Sequence, residues 1–271
     1  FPFDTLVTTG GTQSNHARVT ALVAAQQGLR CELVLHGNPA ELQEPTGNLL
    51  IMRLAGARIY VVPPEMVGSK LEEVLTLLDK DGAKALMING GGHSVSGAMG
   101  LVAAVRELAD QCSANGNWIP DYIVLASGTG GTQAGIMAGL DLLNWPTHVI
   151  GVSVARNKER GTAVVQELYN AVRTTLGLRG QGRTVDFRDN WVGEGYGKST
   201  PRVLETIEEV CRLEGIPLDP TYTGKAMLGL LDLVEEGTIP KGSRVLFWHT
   251  GGLLNLMASA SDWSRSRVYF P

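Results

Sequence analysis

Residues 122–133 read YIVLASGTGGTQ. The apolar run Tyr122–Ala126 is closed by glycine and predicts a buried strand, and a helical pattern follows from about Gln133 to Leu143. A glycine-rich turn between a strand and a helix places successive backbone N–H groups at the positive end of the helix, where they can hold an anion. The turn therefore predicts a phosphate site, with a plain tight turn as the alternative, although one glycine would suffice for that. The predicted phosphate-binding residues are Gly128, Thr129, Gly130, Gly131 and Thr132.

The same turn lacks the features of two common nucleotide-binding loops. No Gly-Lys-Ser/Thr follows it, so it is not a Walker A loop. The dinucleotide fingerprint requires a glycine where this chain has Gln133, and the next strand, His148–Val154, ends without an acidic residue that could bind a ribose. NAD is therefore disfavoured as the ligand.

Strands and helices alternate along the chain on both sides of this segment. This rhythm, with short turns, predicts an α/β fold built on mostly parallel, doubly wound sheets. Ligands of such sheets bind at the carboxyl ends of the strands, which is where the glycine-rich turns fall. The predicted strands are Thr5–Thr9, Cys31–Leu35, Arg58–Val62, Lys84–Ile88, Tyr122–Ala126, His148–Val154 and Arg244–Trp248. The main predicted helices are Asn15–Gly28, Asn48–Ala55, Val67–Lys80, Ser96–Cys112, Gln133–Leu143, Gly161–Leu176, Pro201–Glu214 and Gly224–Glu235.

Composition excludes several classes of protein. The chain has 271 residues, enough for one large domain or two modest ones, and its 44% hydrophobic and 18% charged residues are typical of a globular protein. A net charge of −4 gives no global basic field for nucleic acid, and no apolar run is long enough to predict a membrane span. The start of the chain does not resemble a signal peptide, and three unevenly spaced cysteines predict neither a disulfide framework nor a zinc site. We therefore expect a reducing compartment and assign the protein to the cytoplasm.

A second glycine turn, Gly10–His16 (GGTQSNH), also joins a predicted strand to a predicted helix. Ser14 and Asn15 could simply cap that helix. Three consecutive polar residues after two glycines exceed what a cap needs, so a substrate-binding turn is the alternative. His16 taken alone is more typical of a partly exposed surface histidine than of a catalytic base.

Three further residues are candidates because of their glycine-rich surroundings. Thr250 follows the last predicted strand in Trp248–Gly252 (WHTGG), which is either an ordinary loop or a turn that presents this hydroxyl at the sheet edge. Tyr196 lies in GYG, and Tyr222 lies in the segment DPTYTGK. Each tyrosine by itself would more often serve packing than chemistry.

Five motifs in the same order carry a family resemblance that runs from Gly10 to Gly252. Together they resemble the D-cysteine desulfhydrase / 1-aminocyclopropane-1-carboxylate (ACC) deaminase family, whose members are pyridoxal phosphate (PLP) enzymes of fold type II, the tryptophan-synthase-β-like fold. The resemblance implies two α/β domains, a smaller mobile one over residues 1–92 and a larger PLP-binding one over residues 93–271. It also implies a homodimer that acts on a small amino acid. The motifs are GGTQSNHAR, SGTGGTQAG, GEGYGKST, DPTYTGKAM and FWHTGG.

The resemblance also implies roles for matching residues. Thr129, Gly130, Gly131 and Thr132 would form the cup for the cofactor phosphate, in agreement with the anion site predicted above. Asn15 would bind the ring hydroxyl of the cofactor, and Thr250 would face its pyridine nitrogen. The implied catalytic residues are Ser14 and His16, by the substrate carboxylate or the reacting carbon, and the two active-site tyrosines, Tyr196 and Tyr222.

One departure from the family concerns the lysine that forms a Schiff base with PLP. In the family this lysine precedes the QSN turn and is separated from it by a helix, whereas the residues before Ser14 here include no lysine and form a predicted strand. We therefore expect that the chain lacks an N-terminal segment and that, as given, it is deficient in covalent catalysis. A non-catalytic homologue that binds the cofactor is the alternative.

The residue after Tyr222 guides the choice of reaction. Deaminases of the family place a glutamate there, opposite the pyridine nitrogen, whereas this chain has Thr223. Without that carboxylate, β-elimination from D-cysteine to pyruvate, sulfide and ammonia is the first expectation. ACC deamination and the cleavage of sulfite from cysteate remain the alternatives.

Overall fold

The computed structural model describes residues 1–263, which form two compact units. The first unit comprises Phe1–Gly92 together with the segment that begins at Leu254, and the second comprises His93–Leu253. The sequence analysis had assigned everything after residue 92 to the second domain. That assignment is corrected for the segment from Leu254 onward, and its last part, residues 264–271, lies outside the described residues.

The first unit is a four-stranded, wholly parallel sheet with helices on both faces. Its strands are β1 (Thr5–Gly11), β2 (Arg30–His36), β3 (Arg58–Val62) and β4 (Ala85–Ile88), and its helices are α1 (Asn15–Gln26), α2 (Gly47–Leu54) and α3 (Val67–Lys80). The strand order is β3-β2-β1-β4. Side chains alternate between the faces of β2, so that Leu33 and Leu35 pack with α1 and α2 while Val34 packs with Val74 and Leu78 of α3.

The second unit repeats this plan. Its strands are β5 (Tyr122–Ser127), β6 (His148–Ser153), β7 (Asp186–Arg188) and β8 (Val245–Trp248), in the parallel order β7-β6-β5-β8. Its helices are α4 (Val95–Ala114), α5 (Gly131–Leu142), α6 (Lys158–Thr175), α7 (Pro201–Glu214) and α8 (Thr223–Glu235), and α9 (Leu253–Ala258) starts at its end. Ile123 and Leu125 of β5 pack into a core with α4, α5 and α6. On β6, Val152 packs against Gly229 of α8.

The predicted α/β class with parallel, doubly wound sheets is confirmed. Two elements were not predicted, β7 and α9. The first has three residues, of which only Phe187 is apolar, and the second has six, so neither is long enough to show a period. Both depend on tertiary contacts, since β7 pairs with β6 and Asn255 of α9 accepts a hydrogen bond from Asn48.

Residues 1–263 contain neither a candidate membrane span nor a candidate metal site. None of their helices is both long enough and apolar enough to cross a bilayer. No group of three or more His, Cys, Asp or Glu side chains in the same range could hold a metal ion. The cysteines, Cys31, Cys112 and Cys211, are all free thiols.

Candidate active site

Two of the glycine-rich turns follow neighbouring strands of the second sheet. β5 pairs with β8, with Leu125 opposite Trp248, so the turns at 128–132 and 249–252 leave the same edge of the sheet. The chain winds from β5 towards β7 in one direction, and β8 returns on the other side. Such a reversal of strand order opens a crevice at the carboxyl ends of the strands, where ligands of doubly wound sheets bind.

The N-terminus of α5 has no internal cap. Gly130 adopts the left-handed conformation with φ +91°, and no side chain caps the helix. Among residues 1–263, nothing accepts a hydrogen bond from the backbone N–H of Gly131, Thr132 or Gln133. These three donors, at the positive end of the helix, suit a phosphate group.

Two further features of this turn fit an anion. Ser127 is 1% exposed, and its Oγ has no hydrogen-bond partner among the described residues, although buried hydroxyls normally have one. The Arg156 guanidinium donates to the carbonyl oxygen of Gly128 and so braces the turn from outside the helix. The turn therefore combines backbone N–H donors that no described residue uses with an arginine that donates to one of its carbonyl oxygens.

We expect Gly130→Ala to destabilise the fold and Gly131→Ala to leave its stability nearly unchanged. A Cβ on Gly130 would lie 2.7 Å from Cγ2 of Val165 and would force a side chain into positive φ, whereas a Cβ on Gly131 meets nothing within 4 Å. The backbone strain and the clash together should cost about 1–3 kcal/mol in the first variant. Urea denaturation of both variants measures this difference, and equal losses of stability would contradict it.

In the first unit, the segment Gly10–His16 likewise covers the end of β1, which lies beside β4, and the start of α1. Ser14 caps α1, since its Oγ accepts a hydrogen bond from Ala17 N at 3.1 Å. The capping role predicted as one alternative is therefore present, and none of residues 1–263 accepts the hydroxyl proton of Ser14, which leaves it for a ligand. Gly10 leaves room for this serine, because a Cβ there would lie 2.7 Å from Ser14 Oγ.

The hydrogen bonds around His16 fix its tautomer. Thr8 Oγ1 lies 2.7 Å from the carbonyl oxygen of Ile88 and 2.9 Å from His16 Nε2. The carbonyl can only accept and the hydroxyl has one proton, so Thr8 donates to Ile88 and accepts from His16. The ring proton is therefore on Nε2, and Nδ1 keeps its lone pair. Burial lowers the pKa of His16, which keeps the ring neutral at pH 7.

Tyr196 and Tyr222, 26 residues apart in sequence, are brought together. Their hydroxyl oxygens lie 2.5 Å apart, and the rings pack edge to face with centroids 5.9 Å apart. Burial raises the pKa of Tyr196 and raises that of Tyr222 well above its ordinary value. Both phenols are therefore protonated at neutral pH, so that the pair can pass a proton along but does not supply a phenolate.

Asp219 fixes Tyr222 at the start of α8. Its carboxylate is fully buried and accepts hydrogen bonds from the backbone N–H groups of Thr221, Tyr222 and Thr223 at 2.8–3.0 Å. The Thr223 hydroxyl donates to the same carboxylate at 2.8 Å. Burial raises the pKa of Asp219, although these four donors favour its ionised form. Gly252 packs against it, since a Cβ there would lie 2.5 Å from Asp219 Oδ1.

Lys225 is a fully buried cation in the first turn of the same helix. Its Nζ lies 2.7 Å from the carbonyl oxygen of Val192, 2.8 Å from that of Gly195 and 3.4 Å from that of Val154. Three carbonyls thus take the three N–H donors of the ammonium group, and one of them precedes Tyr196 directly. Burial lowers the pKa of Lys225 to about 8. This lysine holds the tyrosine loop and is not a free amine.

The sequence that forms these turns and sheets matches a known protein family. A family model described as pyridoxal-phosphate dependent enzyme matches residues 3–251, which is most of the chain. The chain belongs to this family. It is a PLP-dependent enzyme of fold type II, as the motifs predicted.

Relatives of this enzyme include proteins named for ACC deamination. A putative 1-aminocyclopropane-1-carboxylate deaminase of Pyrococcus furiosus is 40% identical over 256 residues, which cover 92% of this chain and 74% of the relative. A crystal structure of an ACC deaminase homologue superposes with a TM-score of 0.86 at 35% identity and covers 96% of this chain and 77% of its own. A hydrogen sulfide-producing enzyme of Fusobacterium nucleatum shares the fold, with a TM-score of 0.61 at 16% identity over 91% of this chain and 78% of its own.

Within each unit of this PLP enzyme, the residues singled out from the turns that follow β1, β5 and β8 lie at the carboxyl edge of a sheet. Those of the first unit are Ser14, Asn15 and His16 after β1, and those of the second include Gly128–Thr132 after β5 and Thr250 after β8. Sequence reasoning missed Thr8, Asn48, Asp219, Lys225 and Asn255. Asp219 and Lys225 belong to a recognised motif, DPTYTGKAM, and their charge within that motif was a signal that they have a role. The two asparagines had no local signal beyond Gly47-Asn48 at a helix start.

Proposed function

We propose that this enzyme catalyses β-elimination on a small amino acid, with D-cysteine as substrate. The supporting observation is at the start of α8, where the family's deaminases carry a glutamate and this chain has Thr223. The Thr223 hydroxyl donates to Asp219 and accepts from the backbone N–H of Asp219, and the threonine is fully buried. It offers a ligand neither a carboxylate nor a free hydroxyl.

The nearby carboxylate does not replace that glutamate. Both oxygens of Asp219 already accept hydrogen bonds from the turn that it holds. The partner that we propose for the pyridine nitrogen is therefore Thr250, a neutral hydroxyl that cannot enforce ring protonation. A weaker electron sink suits loss of a good leaving group such as hydrosulfide better than the opening of a cyclopropane ring.

When bound, PLP withdraws electrons from the α-carbon of an amino acid joined to it, which acidifies the α-proton and allows a β-substituent to leave. Residues of this chain would bind the cofactor and the substrate. Gly128–Thr132 and the backbone N–H groups at the start of α5 would hold the phosphate, and Asn15 would donate to the ring hydroxyl. Ser14 would bind the substrate carboxylate with its hydroxyl proton.

Two groups can move protons. His16 is neutral and presents the lone pair of Nδ1, which makes that atom a candidate acceptor for the α-proton. The hydroxyls of Tyr196 and Tyr222 share a hydrogen bond, and we assign to this pair the transfer of a proton to the leaving sulfur. Overall, D-cysteine and one water give pyruvate, hydrogen sulfide and ammonia, with no oxidant or reductant.

ACC deamination is the second candidate, and it is favoured by the names of the two relatives at 40% and 35% identity. Its overall reaction, ACC and water to 2-oxobutyrate and ammonia, needs the same cofactor. Cysteate, with sulfite as the leaving group, remains the third.

The test is a substrate comparison on the enzyme expressed from its complete gene and loaded with PLP. We expect sulfide and pyruvate from D-cysteine, with little 2-oxobutyrate from ACC and little sulfite from cysteate. In Thr223→Glu, ACC turnover should rise relative to D-cysteine turnover, because a carboxylate then stands at the start of α8. Preferred turnover of ACC or cysteate by the wild-type enzyme would reject the D-cysteine assignment.

A further inference from the structure

Three asparagine side chains meet inside the first unit. Asn15 is the first residue of α1, Asn48 lies in the first turn of α2, and Asn255 lies in α9. Asn48 Nδ2 lies 2.9 Å from the backbone oxygen of Gln13, 3.0 Å from Asn15 Oδ1 and 2.6 Å from Asn255 Oδ1. Asn48 is fully buried, and Asn255 is 2% exposed. Only Asn15 has a proposed role towards a ligand.

We propose that Asn48 is a positioning residue that fixes the direction of the Asn15 amide, so that Asn15 presents N–H donors to the cofactor. This inference rests on the proposed role of Asn15 in binding the ring hydroxyl. It explains why Asn15 would donate a hydrogen bond to the ring hydroxyl and would not accept one from it. A bare asparagine could turn either its oxygen or its nitrogen to a ligand.

The main chain sets the direction of the Asn48 amide. The two ends of an amide side chain have nearly the same shape, so hydrogen-bond partners must distinguish them. The carbonyl of Gln13 can only accept, so the Asn48 atom 2.9 Å from it is the nitrogen. If Asn48 were turned over, two oxygens would face each other with no proton between them.

The orientation of the Asn48 amide then determines the orientation of the Asn15 amide. Asn48 Nδ2 has two protons, so Gln13 takes one and Asn255 Oδ1 and Asn15 share the other. An amide nitrogen cannot accept, so the Asn15 atom that faces it is the oxygen, Oδ1, and not the nitrogen. This leaves Asn15 Nδ2 on the other side of the amide, where its protons meet no acceptor within the described part of the chain. A ligand atom bound there has to accept, as an ionised ring hydroxyl does.

The packing around Asn48 holds the three segments close together. Gly47 has φ +52°, and a Cβ there would lie 2.5 Å from the backbone oxygen of Leu254 and 2.6 Å from Gln13 Oε1. Gln13 also accepts from Asn48 N at 2.9 Å and donates to the carbonyl of Thr46 at 3.1 Å. Asn48 Oδ1, by contrast, is buried without a partner among residues 1–263, so its surroundings use only the donor end of this amide.

The test measures the ionisation of the ring hydroxyl of bound PLP by absorbance, in Asn48→Asp and Asn48→Leu. Both variants are close to asparagine in volume, and both remove the donor that faces Asn15. We expect the pKa of the bound ring hydroxyl to rise by about one unit, a tenfold weaker preference for the ionised form, because Asn15 is free to turn its oxygen outward. Asn38→Asp is the matched control, since Asn38 Oδ1 only accepts from Ala40 N and aspartate preserves that bond.

Each outcome decides the proposal. A raised pKa in the Asn48 variants but not in the control supports it, and unchanged titration in folded, PLP-binding variants overturns it. If the wild-type chain does not bind PLP, the cofactor role of Asn15 itself fails, which is a separate result. If the Asn48 variants do not fold, NMR of wild-type chain with ¹⁵N-labelled asparagine decides: the Asn48 amide protons should be protected from exchange and those of Asn15 exposed, and the opposite pattern overturns the proposal.

Discussion

We expect Tyr222→Phe to lower turnover by about 10²–10⁴-fold, the contribution typical of a positioned proton donor, while PLP affinity stays unchanged. The variant removes only the oxygen that lies 2.5 Å from the Tyr196 hydroxyl, and the ring keeps its edge-to-face packing. With that oxygen gone, a proton can no longer pass between the Tyr196 and Tyr222 hydroxyls. The measurement is kcat with the preferred amino acid, beside a PLP titration followed by absorbance.

Tyr122→Phe is the control for this change. Tyr122 lies in β5, packs edge to face on His148 and takes no part in the hydroxyl pair. Its loss of hydroxyl should leave kcat within about twofold, as expected for a surface change of about 0.5 kcal/mol or less. Turnover of Tyr222→Phe equal to that of this control would remove Tyr222 from the catalytic residues.

The second large effect is expected for Asp219→Ala, which should lower the free energy of unfolding by on the order of 3–5 kcal/mol. The substitution leaves the buried backbone N–H groups of Thr221, Tyr222 and Thr223 without their acceptor. It also removes the anion from the positive end of α8. Urea denaturation measures the loss, and the folded fraction should show reduced turnover because Tyr222 is no longer held in place.

Asp110→Ala tests whether that loss is specific to the buried carboxylate. Asp110 is 71% exposed on α4 and faces Arg106 at 3.5 Å, so its removal should cost no more than about 0.5 kcal/mol. Similar losses in the two variants would show that Asp219 does not organise the start of α8.

The glycine-rich turns can be predicted largely from the local sequence. Gly130 is an example, because a left-handed residue between a strand and a helix favours glycine, which the local sequence supplies. Strands that are buried on both faces are similarly predictable, since they form continuous apolar runs such as that of β5, whereas the three-residue β7 is not. The segment from Leu254, in contrast, was assigned to the wrong unit, because its place depends on packing against Gly47 and Asn48.

The sequence by itself determined the fold class, the family and the residues that end the strands, because strand period, turn chemistry and motif order are properties of neighbouring residues. Only the tertiary structure decided which of those residues meet. Four features depend on partners elsewhere in the chain. These are the pairing of Tyr196 with Tyr222, the hydrogen bonds that occupy both oxygens of Asp219, the tautomer of His16 and the direction of the Asn15 amide. A hydrogen bond has a direction that only its partner reveals, and no local pattern encodes that partner.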